Sequence, residues 1–166
     1  MDIYVIRHAQ ALDRLEPVVD AHRPLTARGR KDARRLGKLL RHEEVELDAL
    51  VVSPLVRAVE TASQLAEGLE WGGPLEVAAE LELGRDPMDL VRDVLLPRAD
   101  LDAVALVGHQ PQLGALLGML LRLSVRDLAK PSVVRVRWLG PEEPARFKWA
   151  LRADLDHPSK DLADVA

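Results

Sequence analysis

Residues 1–10 read MDIYVIRHAQ. Ile3, Tyr4, Val5 and Ile6 form a short apolar run of strand-forming residues, and Arg7 and His8 follow at once. A buried strand that only needed to stop could do so on Gly, Asn or Asp. Arg-His instead places a permanent cation beside a ring that can be neutral or charged near pH 7. Taken alone, the pair reads as a solvated strand end. The rest of the chain decides whether it is more.

Downstream, apolar runs alternate with helical patterns. A polar loop, AQALDRLEPVVDAHRP, leads into LTARGRKDARRLGKLLRHEE, whose Ala33, Leu36, Leu39 and Leu40 lie near one helix face, with Thr26 placed to cap it. LDALVVS reads as a second strand. SPLVRAVETASQLAEGL reads as a helix capped by Ser53, with Pro54 at its first position and Gly68 near its end. LEVAAEL is a weaker strand, DPMDLVRDVLLP a short helix between prolines, DAVALVGH a clear strand, and QPQLGALLGMLLRL another helix. SVVRVRWLG and RFKWALR alternate apolar with polar residues, as half-exposed antiparallel strands do, around a turn at Gly140, Pro141 and Pro144. The expectation is an α/β three-layer sandwich with a mainly parallel central sheet and helices on both faces. Residues 1–153 read as one domain and 154–166 as a polar, frayed C-terminal tail.

Composition narrows the chemistry. The 166 residues suit one domain with a substantial core, and 48% are hydrophobic. A net charge of −4 gives no bias towards nucleic acid or anionic membrane. With no cysteine, disulfides, thiolate metal sites and thiol nucleophiles are excluded. No apolar run approaches a membrane span and no signal-peptide pattern opens the chain, so the default expectation is cytoplasmic.

In parallel α/β sheets, ligands bind outside the carboxyl ends of the strands. Three of those ends carry Arg7-His8, Ser53 through Arg57, and His109. Helix N-termini favour anions, and guanidinium groups grip phosphate with paired N–H donors. This inventory suits phosphoryl transfer: a neutral imidazole attacks phosphorus in line while two arginines and a second histidine neutralise the equatorial oxygens. It needs neither metal nor cofactor, and HExxH, Cys-cluster and P-loop motifs are absent from the sequence.

Taken in order, Arg7-His8, SPLVRAVETA around Arg57 and VGHQP around His109 resemble the histidine phosphatase superfamily, which is phosphoglycerate mutase-like in fold. The short chain and the RPLTARG stretch from Arg23 to Gly29 are most similar to its SixA-type phosphohistidine phosphatase branch. The resemblance runs from residue 1 to about residue 120, and RFKWAL resembles that branch's final strand. It implies that His8 is the nucleophile that becomes phosphorylated, that Arg7 and Arg57 bind the phosphate, and that His109 completes the pocket. It also implies a further phosphate contact from Arg23. The family motif is usually Arg-His-Gly, and here Ala9 takes the third position.

Larger relatives place an acid after the third strand to protonate an alcohol leaving group, and Glu80 and Glu82 lie in that region. A phosphohistidine substrate lessens the need, since its own ring can carry the proton. The stretch from Glu82 to Asp102 leaves little room for a helical lid, which suits a side chain on another protein. The reading is therefore a metal-independent phosphohistidine phosphatase whose partner is a phosphorylated histidine-containing protein. The alternatives are a small phosphate ester as substrate, or a non-catalytic phosphate-binding module. Elsewhere, eight Lys or Arg between Arg23 and Arg41 against one acid, Asp32, read as a solvated helix face; His22, His42 and His157 read as surface residues; Trp138 and Trp149 read as core.

Overall fold

The computed structural model describes residues 1–13 and 19–165, so residues 14–18 of the loop expected after the first strand lie outside it, as does Ala166 of the tail. Six strands form one sheet: β1 (Asp2–Arg7), β2 (Ala49–Val52), β3 (Leu75–Val77), β4 (Ala103–Gly108), β5 (Ser132–Arg137) and β6 (Arg146–Arg152), in the order β3-β2-β4-β1-β5-β6. β3, β2, β4 and β1 run parallel, whereas β5 is antiparallel to both β1 and β6. The α/β sandwich with a mostly parallel sheet and an antiparallel edge is the expected one.

Alternation along each strand divides the core. Ile3, Val5, Val104 and Leu106 face α4 (Gln112–Leu121) and the helical stretch that starts as α3 (Pro87–Asp89). Tyr4, Ile6, Leu50 and Val52 face α1 (Ala27–His42) and α2 (Val56–Leu69). Trp138 and Trp149 are buried in these two clusters, as expected.

Several local readings are corrected. Thr26 does cap α1, its hydroxyl accepting from Gly29 N–H at 2.9 Å. Ser53 and Pro54, however, precede α2, which begins at Val56 with Leu55 as its cap residue. α2 ends not on Gly68 but on Glu70, which has a left-handed φ of 63°. LEVAAEL is a strand only over Leu75–Val77, and its end is a 3₁₀ turn, Ala79–Leu81. DPMDLVRDVLLP continues from α3 as a π-helical stretch, Leu90–Leu95, and a 3₁₀ turn, Leu96–Arg98. The C-terminal segment is not frayed. Ser159 bridges to Ala150, and Leu162–Val165 forms a 3₁₀ turn that buries Val165 in the core. A few apolar side chains suffice to hold a polar segment down.

The basic stretch of α1 is not simply solvated either. Arg30 pairs with Glu60 at 3.0 Å and Arg34 with Glu67 at 2.6 Å, and Arg41 pairs with Glu70, so one face of α1 is laced to α2. Beneath these pairs the helices touch backbone to backbone. A Cβ on Gly37 would lie 2.2 Å from the Leu65 carbonyl oxygen, and one on Gly68 would lie 2.1 Å from that of Arg34. Neither carbonyl can swing aside without breaking helix. Alanine favours a helix over glycine by ~1 kcal/mol, yet here it must push two helices apart. Gly37→Ala and Gly68→Ala are each expected to destabilise the chain by about 1–3 kcal/mol, the usual range for overpacking. In a chain of this size, thermal unfolding should show a midpoint lower by roughly 2–4 °C per kcal/mol. A raised midpoint would mean that the helices separate freely.

Candidate active site

Strand register assembles the site. β1 pairs with β4 from Asp2↔Ala103 to Arg7↔Gly108, and β2 pairs with β4 up to Val52↔Val107. The residues that follow these last pairs are His8, His109 and Ser53. Two backbone bonds extend the ladders past the strand ends: His8 N–H donates to Gly108 O at 3.1 Å, and Ser53 N–H to Val107 O at 3.0 Å. The imidazole rings of His8 and His109 come to 5.0 Å between centroids.

His8 is 5% exposed, and its Nδ1 lies 2.7 Å from the Ala9 carbonyl oxygen. A carbonyl only accepts, so Nδ1 carries the proton and Nε2 keeps its lone pair. Burial pushes the His8 pKa down to about 3, helped by the charges of Lys130 and Arg57 and by His109, against the opposing bond to Ala9. His109 is likewise pushed down to about 3, by burial first and then by Arg57. Both rings are therefore neutral at pH 7. His109 Nε2 lies 2.8 Å from Ser53 Oγ, which itself accepts from Leu55 N–H at 3.4 Å. Nε2 and the Ser53 hydroxyl share one hydrogen bond, and Nδ1 on the other side of the ring has no partner among the described residues. Ser53, read from the sequence as a helix cap, orients this imidazole instead.

The arginines converge on the same place. Arg57, 2% exposed, sits in the first turn of α2. Its Nη1 donates to the Asp20 carbonyl at 2.8 Å and its Nη2 to Asp20 Oδ2 at 3.2 Å. Arg7 Nη1 donates to the Leu128 carbonyl. Among the described residues, three buried nitrogens have no hydrogen-bond partner at this point: Arg7 Nε, Arg57 Nε and His109 Nδ1. Buried polar nitrogens are almost always paired, and three together, two of them guanidinium donors, mark a site that can take acceptor oxygens.

Ala9 fits the tight space after His8 without strain. It is not among the residues with positive φ, and it is fully buried beside Leu25 and Ala33. Ala9 N–H donates to Thr61 Oγ1 at 3.0 Å, and that hydroxyl donates to the Arg57 carbonyl at 2.6 Å, so the loop after β1 is clipped to α2. Gly29 completes the seat: a Cβ there would meet the Gln10 carbonyl oxygen at 2.1 Å, so α1 can approach the loop only with glycine at this position.

The remaining expected residues are placed less centrally. Arg23 Nε donates to Asp20 Oδ1 at 2.9 Å and its Nη1 to the Leu12 carbonyl at 2.8 Å, so it reaches the site through Asp20. Glu82 lies 3.8 Å from Arg85 and lines a cleft of about 460 Å³ with Asp20, Pro54, Leu55 and Leu83. Glu80 is half-buried, and only its backbone carbonyl is held, by Gln112 Nε2 at 2.7 Å. Among the described residues, neither carboxylate hydrogen-bonds to Arg7, His8, Arg57 or His109. His22, His42 and His157 are exposed. Two residues escaped the sequence reading. Asp20 bridges the two arginines, and Lys130, whose pKa is lowered by burial and by the charges of Arg7, Arg23 and Arg57, lines a second cleft of about 500 Å³ with Gln10, Arg23 and Arg28. Both sit in loops, where only tertiary structure brings them near His8. Among the described residues no three metal-ligating side chains cluster together, and no helix is long and apolar enough to cross a membrane.

Comparison with known proteins agrees with this geometry. The family model described as histidine phosphatase superfamily (branch 1) matches residues 3–83. Phosphohistidine phosphatase SixA of Escherichia coli (strain K12) is 27% identical over 153 residues, covering 91% of this chain and 93% of that protein. An uncharacterized protein of a Picosynechococcus species is 32% identical over 129 residues, 69% of each chain. A solved structure of the protein histidine phosphatase SixA complexed with tungstate superposes with a TM-score of 0.82 at 26% identity, over 92% of this chain and 97% of that one. The chain thus belongs to the histidine phosphatase superfamily, in its SixA-type branch, and is a phosphatase.

Proposed function

We propose that the chain removes phosphate from phosphohistidine on another protein, with His8 as the covalent carrier. One observation carries this reading: Arg7 Nε, Arg57 Nε and His109 Nδ1 are buried nitrogens without partners among the described residues, around a neutral imidazole. Three phosphoryl oxygens would satisfy them together. In the first step His8 Nε2 forms a bond to phosphorus as the substrate's P–N bond breaks, and the departing imidazole keeps the proton that its own ring carries. In the second step water attacks phospho-His8, the new P–N bond breaks, and phosphate leaves. Charge that develops on the phosphoryl oxygens meets the two guanidinium groups and, in its Nδ1–H tautomer with Ser53 donating to Nε2, His109, in a site with little water. These cations supply what a metal would otherwise bring.

The substrate assignment rests on the leaving group. An alkyl ester needs a positioned acid, and neither Glu80 nor Glu82 contacts the nucleophile's neighbourhood directly. Phosphohistidine does without one. The helical stretch Pro87–Arg98 also favours a large substrate. It buries Leu90, Val91, Val94 and Leu95 against the sheet instead of arching over the site.

Three outcomes are expected. Rapid quenching of a reaction with a phosphohistidine protein should trap a phosphoenzyme that survives alkali and is lost in acid. His8→Ala should abolish it and lower kcat by at least ~10³, because the covalent route disappears. Label recovered on Ser53 would overturn the mechanism.

Glu80→Gln and Glu82→Gln, singly and together, should leave dephosphorylation of that protein within about tenfold of wild type, ~1.4 kcal/mol in barrier. The wild type should turn over simple alkyl esters poorly. If one Glu→Gln change instead cut an efficient alkyl esterase activity by ~10² or more, that residue would be a general acid and a small ester the substrate.

The third outcome concerns stability. Each imidazole titrates near 3 when folded and near 6.5 when unfolded. Between those values the unfolded chain binds more protons. Stability should therefore be complete above about pH 6.5 and fall as pH is lowered through the window, by at most ~1.4 kcal/mol per pH unit for each ring. His109→Gln should flatten the slope measured by denaturant unfolding between pH 6.5 and 5. An unaltered slope would mean that His109 is charged or exposed.

A further inference from the structure

Asp20 carries a bridge that the phosphatase reading leaves unassigned. Its two carboxylate oxygens are divided between two arginines, Oδ2 accepting from Arg57 Nη2 at 3.2 Å and Oδ1 from Arg23 Nε at 2.9 Å, while its backbone carbonyl accepts from Arg57 Nη1 at 2.8 Å. The Arg57 side chain is 3% exposed, whereas that of Asp20 is 32% exposed. The carboxylate thus approaches a sunken guanidinium from the solvent side.

A guanidinium offers its five N–H groups along distinct edges. Asp20 takes the end edge of Arg57, the one formed by Nη1 and Nη2. The side edge, with Nε, has no partner among the described residues. A phosphoryl group needs that side edge, so Asp20 and phosphate bind different faces of one plane. The surroundings also require a counter-charge. Lys130 feels the charges of Arg7, Arg23 and Arg57, Arg57 feels that of Arg23, and Asp20 is the carboxylate in contact with Arg23 and Arg57. Without it, Arg23 and the buried Arg57 would repel each other unscreened, and the plane of Arg57 could rotate about its last bonds.

We infer that Asp20 is a positioning residue: it grips the end edge of Arg57 and ties Arg23 to it, so that the Arg57 side edge faces the transferred phosphoryl group before substrate arrives. This rests on the phosphatase reading of the same site. The opposed possibility is that the Asp20 carboxylate competes for donors that phosphate needs. The two differ in sign.

The test uses the full chain with Asp20→Asn, which keeps the side-chain volume, alongside Asp20→Ala. With an aryl phosphate as probe, Asp20→Asn should lower kcat by about 10–100-fold with KM within about threefold, since small misplacements of a phosphate-binding group cost up to ~10² in rate. Inhibition by orthovanadate should weaken by a similar factor. In the unliganded chain, the Arg57 Nε–H resonance should be sharp in wild type and broadened in Asp20→Asn. Tighter vanadate binding by the variant would make Asp20 a competitor, and unchanged kcat with unchanged vanadate binding would make it a structural ion pair; either overturns the inference. The resonance separates this inference from the function it rests on. If wild type turns over no phosphorylated substrate but the Arg57 signal broadens in the variant, the proposed function falls and the positioning role stands. If the signal stays sharp, the positioning role falls whatever the activity.

Discussion

Everything at the site follows from the residue-for-residue pairing of β1 with β4. Arg7 stands opposite Gly108, so the next residues on each chain are His8 and His109, and the two rings meet at 5.0 Å. A slip of one residue would turn Ile3 and Val5 from one helix layer to the other, and would also separate the histidines. The core therefore enforces the site: fully buried strands on both faces admit a single register, and that register sets the imidazole spacing. β2 joins by the same means, through Val52↔Val107, and delivers Ser53 to His109 and the start of α2 to Arg57.

What the core places there is unfavourable by itself. Two imidazoles, two guanidiniums and a lysine are partly or wholly withdrawn from water, and burial is the largest influence on the pKa of each. The imidazoles respond by staying neutral, which is also the state a nucleophile needs. The arginines cannot respond so, and they keep their charge by hydrogen-bonding to the carbonyls of Leu128 and Asp20 and to the Asp20 carboxylate. The cost is met by the sheet and by the α1–α2 contact, whose glycines and ion pairs lock together the two helices that flank the loop after β1. Groups that stay unpaired in a well-packed fold mark where function overrides stability.

The sequence disclosed the parts of this that obey strand and helix grammar. Arg7, His8, Arg57 and His109 were legible because each stands at or just beyond a strand end, and strand ends are where such sheets bind ligands. The sheet class, the caps at Thr26 and the buried tryptophans were legible for similar local reasons. Ser53 was misread because Ser-Pro fits a helix start so well; its hydroxyl is instead engaged by a residue 56 positions away. The α1 cations gave no sign that glutamates on α2 would meet them, and Gly37 and Gly68 gave none that two backbones touch there. Asp20 and Lys130 lie in loops without periodicity, so nothing short of the folded chain connects them to residues 57 and 7.

The same loops decide how the site meets its substrate. Two clefts open close to the site, one lined by Asp20, Pro54, Leu55 and Glu82, the other by Asp13, Arg23, Arg28, Asp32 and Lys130. The first is in good part apolar and the second is lined by charges of both signs, Arg23, Arg28 and Lys130 with Asp13 and Asp32. The function proposed above, a phosphohistidine on a protein surface, matches this shape, because the substrate's flanking side chains would spread over both clefts. In that proposal, binding energy gathered there, away from the phosphorus atom, would hold the P–N bond in line with His8 Nε2, which is the contribution that a site without a positioned acid most needs.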